Sequence, residues 1–137
     1  MTKVNLQILI IDDDEINNFI AAKLIDKIPP KAVVSTCLNG QDGIDFVKSK
    51  LDHQDEMPDI IFLDINMPVM NGWEFLEEYE QIKSKIKKSV CINMLSSSVY
   101  NDDITKAEAF DTVQKFISKP LTVDKIQSLY ESLDIIA

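Results

Sequence analysis

The sequence predicts an α/β fold in which a parallel sheet lies between two layers of helices. Two observations carry this. Five short apolar runs, Ile8–Ile11, Ala32–Leu38, Ile60–Leu63, Val90–Leu95 and Val113–Ile117, show little polar alternation and suggest strands buried on both faces. Each run is followed by a segment whose apolar residues recur at helical spacing. Strand-then-helix, repeated five times, implies parallel strands joined by right-handed crossovers.

Taken in order, Ile16, Phe19, Ile20 and Leu24 mark the first helix, which must end by Pro29-Pro30. After the Asn39-Gly40 turn, Ile44, Val47 and Leu51 mark the second. The third runs from about Trp73 to Ile82, with Phe75, Leu76 and Tyr79 on its inner face. The fourth, around Asp102 to Phe110, has only a thin stripe of Ile104, Ala107 and Ala109. In the fifth, Ile126, Leu129, Tyr130 and Leu133 fall at i, i+3, i+4 and i+7, and Thr122 is available as N-cap.

With 137 residues, 45% hydrophobic and 27% charged, the chain matches one ordinary globular domain and needs no disulfide or metal staple. We find no repeat or linker that would divide it. Its charge is −9, from 14 basic and 23 acidic residues, and every basic residue is lysine. With acidic residues in excess and no arginine, direct nucleic-acid binding is not expected. No apolar run reaches the roughly 20 residues of a membrane span, and the start does not read as a signal peptide. Cys37 and Cys91 lie far apart inside apolar runs and read as free thiols in strands, which fits a cytoplasmic protein.

In an open parallel sheet, ligands bind outside the carboxyl ends of the strands. Here strand one ends in Asp12-Asp13-Asp14-Glu15, strand three in Asp64-Ile65-Asn66, strand four in Ser96-Ser97-Ser98, and strand five in Lys119-Pro120. Each has an ordinary explanation: a helix N-cap, a turn former, a strand terminator, a solvated lysine. Their convergence on one rim is harder to dismiss. Asp12, Asp13 and Asp64 on adjacent strands would repel, and the site would hold protons at raised pKa or recruit a cation. An oxygen-only set suits Mg²⁺, and the lack of histidine or cysteine ligands argues against zinc or copper. A carboxylate beside Mg²⁺, with ammonium and hydroxyl groups near, suits attack on a phosphoryl group to give an aspartyl phosphate.

Ile8–Glu15, Ile61–Gly72 and Phe116–Pro120 resemble, in order and spacing, the three main motifs of the receiver domain of two-component response regulators. The resemblance covers essentially the whole chain. It implies a flavodoxin-like (βα)5 fold with strand order 2-1-3-4-5, an order carried over with the family and not read from this sequence. It further implies Asp64 as phosphoacceptor, Asp12, Asp13 and Asp64 as Mg²⁺ ligands with the backbone carbonyl of Asn66, and Lys119 on the phosphoryl group. Ser96 would supply the switch hydroxyl, with Ser97 beside it, and Phe116 the switch aromatic. Asn66 and Ser98 stand where dephosphorylation is tuned, and their small polar character predicts an aspartyl phosphate of short to moderate lifetime.

The expected function is that of a single-domain response regulator spanning residues 1–137, with a core over about 6–134 and no output domain, because the chain ends soon after helix five. It would accept phosphate from a histidine kinase or a histidine phosphotransfer protein and signal through a downstream protein target, as a monomer or a phosphorylation-dependent dimer. It would be no enzyme beyond its own phosphorylation and dephosphorylation. The alternative is a binding module of the same fold that acts without phosphorylation. A haloacid dehalogenase-like phosphatase would need an acid/base Asp where Asn66 stands. A dinucleotide site would need a Gly-rich loop, and the chain has only three glycines. His53 reads as a solvated loop residue, Trp73 as packing, and Lys83, Lys85, Lys87 and Lys88 as a solvated face.

Overall fold

The computed structural model describes residues 5–96 and 101–135. Its strands are β1 Leu6–Ile11, β2 Ala32–Cys37, β3 Ile60–Asp64, β4 Cys91–Ser96 and β5 Val113–Ser118. Its helices are α1 Glu15–Asp26, α2 Gly40–Ser49, α3 Gly72–Ile82, α4 Asn101–Glu108 and α5 Val123–Ser132, with single 3₁₀ turns at Gln54–Glu56 and Lys83–Lys85. All strand pairs are parallel and the order is β2-β1-β3-β4-β5, the order implied by the family resemblance.

Side-chain alternation divides the core between the two faces of the sheet. Leu9, Ile11, Ile61, Leu63, Ile92 and Met94 meet α2 and α3 through Ile44, Val47, Phe75 and Leu76. Ile8, Ile10, Phe62 and Ile117 meet α1 and α5 through Ala21, Ile25, Ile126, Leu129 and Tyr130. Of the inner strands, β3 and β4 are buried throughout and β1 everywhere but Gln7; the outer β2 and β5 are half-exposed, contrary to the expectation of full burial. Outer strands lack a neighbour on one side, and the helices do not reach over them completely. Cys37 is half-buried, Cys91 is buried, and both are free.

Helix starts follow the polar residues that precede them. Asn39 caps α2, Asn71 and Glu74 form a reciprocal capping box on α3, and Thr122 caps α5 as expected. In α1, however, three of the four residues that mark the helix are not those it buries, and only Leu24 packs against the core. Ile16, Phe19 and Ile20 are 70%, 64% and 49% exposed, while Asn18, Ala21 and Ile25 face the sheet. Periodicity identifies a helix, but it does not choose between two apolar stripes on the same helix. The rotation is fixed by Asp14, whose carboxylate accepts from the N–H groups of Ile16 and Asn17, and by Asn18, whose Nδ2 donates to the Asp12 carbonyl at 2.9 Å.

Two further expectations are refined. The lysine run is not uniformly solvated: Lys88 reaches back to the Met57 carbonyl at 2.6 Å and to Asp59 at 3.2 Å. Trp73 is packing, as read; it stacks on Phe110 at 6.3 Å between centroids with the Lys106 ammonium 5.1 Å from its ring. Of the thin α4 stripe, Ala107 is buried, and the side chain of Ile104 lies outside the described residues. No described helix is long and apolar enough to cross a membrane.

Candidate functional site

Register brings the acidic residues together. Ile11 pairs with Leu63, so Asp12 and Asp64 emerge side by side from adjacent strands. Asp12 is 2% and Asp64 6% exposed, whereas Asp13 is exposed. One carboxylate oxygen from each of the three lies within 4.8 Å of the others. Asp14 does not join them, because it caps α1. The acidic run therefore divides its work between a helix cap and a site.

Lys119 balances the cluster. Its ammonium is 2.9 Å from Asp12 Oδ2 and 3.2 Å from Asp64 Oδ1. The backbone holds it there: Ser96 and Ser118 are paired across β4 and β5, and the Lys119 N–H donates to the Ser96 carbonyl at 2.7 Å. Lys125, on α5, braces the turn from below by donating to the carbonyls of Ser118 at 2.7 Å and Pro120 at 2.9 Å. Asp12 is held as firmly, with its Oδ1 accepting from the Asp14 N–H at 3.0 Å.

Gly72 closes the site from behind. Its N–H donates to the Ile65 carbonyl at 2.8 Å, and a Cβ there would meet the Asp64 carbonyl oxygen at 2.6 Å. Close approach, not an unusual φ, demands this glycine. On the same loop, the Met70 N–H donates to the Pro68 carbonyl across Val69, which has φ 68° and is 79% exposed. That is a γ-turn centred on a β-branched residue, a strained arrangement at the edge of the site.

Charge and burial set the ionisation. Burial pushes the Asp64 carboxyl up, Lys119 pulls it down, and the charges of Asp12 and Asp13 push it up again, leaving it at about 6. Burial alone would lower the Lys119 ammonium, but its hydrogen bond to Asp12 and the Asp64 charge outweigh this and its pKa is raised. At neutral pH the resting site is thus an ammonium between carboxylates, with net negative charge left over. An oxygen-only donor set with surplus charge fits Mg²⁺.

The remaining expected residues fall around this centre unevenly. Ser96 is buried at the end of β4, and Asn66 is exposed on the loop after Asp64. Phe116 is half-buried on the opposite side of β5 from α5, packed against the cluster that includes Met94 and Ala107. Ser97 and Ser98 lie outside the described residues. Asn18 and Lys125 were missed by sequence reasoning. Asn18 carried a signal, a polar residue in phase with Ala21 and Ile25; Lys125 carried none. A larger cavity, about 600 Å³, opens at the other pole beside the first residues of β1, β3 and β4, and Asp59 on its wall is already paired with Lys88.

A family model for the response regulator receiver domain matches residues 8–131. The chain belongs to this family. A two-component response regulator from Cytophaga hutchinsonii superposes with TM-score 0.85 at 33% identity, covering 98% of this chain and 100% of that one. The Vibrio cholerae chemotaxis protein CheY4 shares the fold at TM-score 0.74 and 20% identity, over 93% of this chain and 97% of its own. Among curated relatives, the Escherichia coli nitrate/nitrite response regulator NarL is 37% identical over 73% of this chain and 42% of its own length. A protein-glutamate methylesterase/protein-glutamine glutaminase from Desulfotalea psychrophila is 37% identical over 57% of this receiver and 20% of its own length. The receiver thus spans about a fifth to a third of the methylesterases it matches, and their catalytic activity is a statement about those larger proteins. Receiver domains are phosphorylatable switches that take phosphoryl groups from histidine kinases or phosphotransfer proteins.

Proposed function

We propose that Asp64 is the phosphoacceptor of this response regulator receiver domain. One observation carries the reading: Asp64 faces the Lys119 ammonium at 3.2 Å with two further carboxylates within 4.8 Å, whereas Asp12, which shares these neighbours, has both oxygens engaged, Oδ2 by Lys119 at 2.9 Å and Oδ1 by the Asp14 N–H at 3.0 Å. With its pKa at about 6, Asp64 is mostly ionised at neutral pH and available as a nucleophile. Its oxygen forms a bond to phosphorus as the donor's bond breaks. Asp12, Asp13 and Asp64, with the Asn66 carbonyl, would hold Mg²⁺, which when bound supplies positive charge for the phosphoryl oxygens. Lys119 is within reach to follow those oxygens as it leaves Asp64.

Ser96 would donate its hydroxyl to a phosphoryl oxygen, with Ser97 next to it in the sequence, and Phe116 would change its packing in response. A local charge change would in this way bias the surface of α4, β5 and α5. The donor is a histidine kinase or a histidine phosphotransfer protein, and the output is altered contact with a protein target, by a monomer or a phosphorylation-dependent dimer. Exposed Asn66, with Ser98, would admit water and limit the lifetime of the phosphoform.

Intact mass after incubation with phosphoramidate tests this. The expected result is a gain of one phosphoryl group that requires Mg²⁺ and is lost in Asp64→Ala. A folded, Mg²⁺-binding protein that gains nothing would favour a binding module that acts without phosphorylation.

A further inference from the structure

Five of the six large apolar side chains exposed among the described residues lie together: Ile16, Phe19 and Ile20 on α1, Val33 on β2 and Leu38 just beyond it. Clustering of this kind marks a contact surface, whereas single exposed apolar residues are ordinary. The stripe on α1 is left over from the packing of the sheet, because the helix buries Asn18, Ala21 and Ile25 instead.

The charges on this surface are ordered. Glu15 lies one turn before Phe19 and Lys23 one turn after it, both exposed and neither in an ion pair among the described residues. The Lys23 ammonium sits 5.3 Å from the centroid of the Phe19 ring. Beside the ring, between α1 and β2, is a hollow of about 490 Å³ whose walls include Glu15, Phe19, Ala22 and Leu38.

We propose that α1 is the contact surface of a homodimer in which two copies pair antiparallel about a two-fold axis at Phe19. A two-fold contact requires a surface complementary to itself, and this one is. Turned end for end, the helix sets its Glu15 against the partner's Lys23, its Lys23 against the partner's Glu15, and Phe19 against Phe19. Each ring then covers the hollow beside the other. A parallel pairing fails on charge, because it brings Glu15 and the exposed Asp13 and Asp14 of both copies together. The antiparallel pairing keeps those ends apart by roughly the 18 Å of a 12-residue helix and opposes the two helix dipoles. A foreign partner would need a matching pattern of its own; a second copy already carries it. The contact does not depend on the Asp64 reading. Because β2 and β5 are opposite edges of the sheet, it is also separate from a phosphorylation-dependent contact through β5.

Sedimentation velocity of the unphosphorylated protein tests this. One helix pair is a small interface, so a dimer with Kd on the order of 100 µM is expected, measurable between about 5 µM and about 1 mM protein. Asp64→Ala should dimerise equally. Phe19→Ser changes an exposed position, so it should fold normally and weaken the dimer by about tenfold or more. Glu15→Lys and Lys23→Glu should each weaken it about fivefold. The double variant, or an equimolar mixture of the two single variants, should recover the wild-type affinity, because either restores opposite charges at both ends. A wild-type protein that stays monomeric at all these concentrations would overturn the proposal and leave the stripe to a different partner. So would a dimer that Phe19→Ser leaves intact, or charge variants that do not recover when combined.

Discussion

At the scale of single residues, Asp64 and Val69 each give a measurable consequence. Asp64 has a pKa of about 6 in the folded, metal-free protein, above the usual carboxylate value of 3.8. A group whose folded pKa is raised destabilises the fold at pH above that value, and the penalty disappears as pH falls from about 6 to about 4. In EDTA, Asp64→Asn should therefore be more stable than wild type at pH 7.5 by about 2 kcal/mol, with the gap closing by pH 4. Lys119 keeps Asp12 at 2.9 Å in that variant, so it is not left alone. Thermal melts across this pH range check it; a gap independent of pH would mean that Asp64 is not strained by burial and its neighbours. Val69 occupies positive φ with a branched side chain and is exposed. Asparagine tolerates that region better, so Val69→Asn should raise stability by about 1 kcal/mol in a denaturant melt.

At the scale of elements, the site depends on how strand ends are anchored, and this was less legible than the strands. The runs Ile60–Leu63 and Val113–Ile117 differ from β3 and β5 by a single residue. What periodicity could not supply was phase. β4 and β5 shift register between Ile92 and Asn93, which pair with Val113 and Lys115, so Gln114 is an extra residue in β5. The bulge lets Val113 and Phe116 share one face while Ile117 takes the other. The buried face of α1 was not legible for a similar reason: a polar residue, Asn18, sits at its centre because the Asp12 carbonyl needs a donor. Two variants probe the anchoring. Gly72→Ala places a Cβ 2.6 Å from the Asp64 carbonyl and should cost about 2 kcal/mol while slowing phosphorylation. Lys125→Met removes the brace on Ser118 and Pro120 and should cost about 1 kcal/mol, read by chemical denaturation.

At the scale of the whole molecule, the class of fold and the chemistry of its rim were both legible, because each rests on composition. Five apolar runs separated by amphipathic segments have few compact solutions. Asp12, Asp64, Ser96 and Lys119 could be placed at strand ends because they follow the last apolar residue of each run. The contacts among them depend on register and turn geometry, and Lys125 contributes only through a long side chain that no local pattern announces. The charge of −9 has its own consequence. A cation that draws three carboxylates together relieves repulsion in a molecule already rich in negative charge. Mg²⁺ should raise the melting temperature of the wild-type protein, and Asp13→Asn, at an exposed position, should fold normally yet lose most of that rise.

We propose that Asp64, and neither of the carboxylates beside it, receives the phosphoryl group. Borohydride reduction of the phosphorylated protein, followed by peptide mass mapping, reads this directly, because an aspartyl phosphate is converted to homoserine. Homoserine is expected at position 64 alone, formed only when Mg²⁺ was present during phosphorylation. Homoserine at position 12 or 13, or at 64 without need of Mg²⁺, would contradict it.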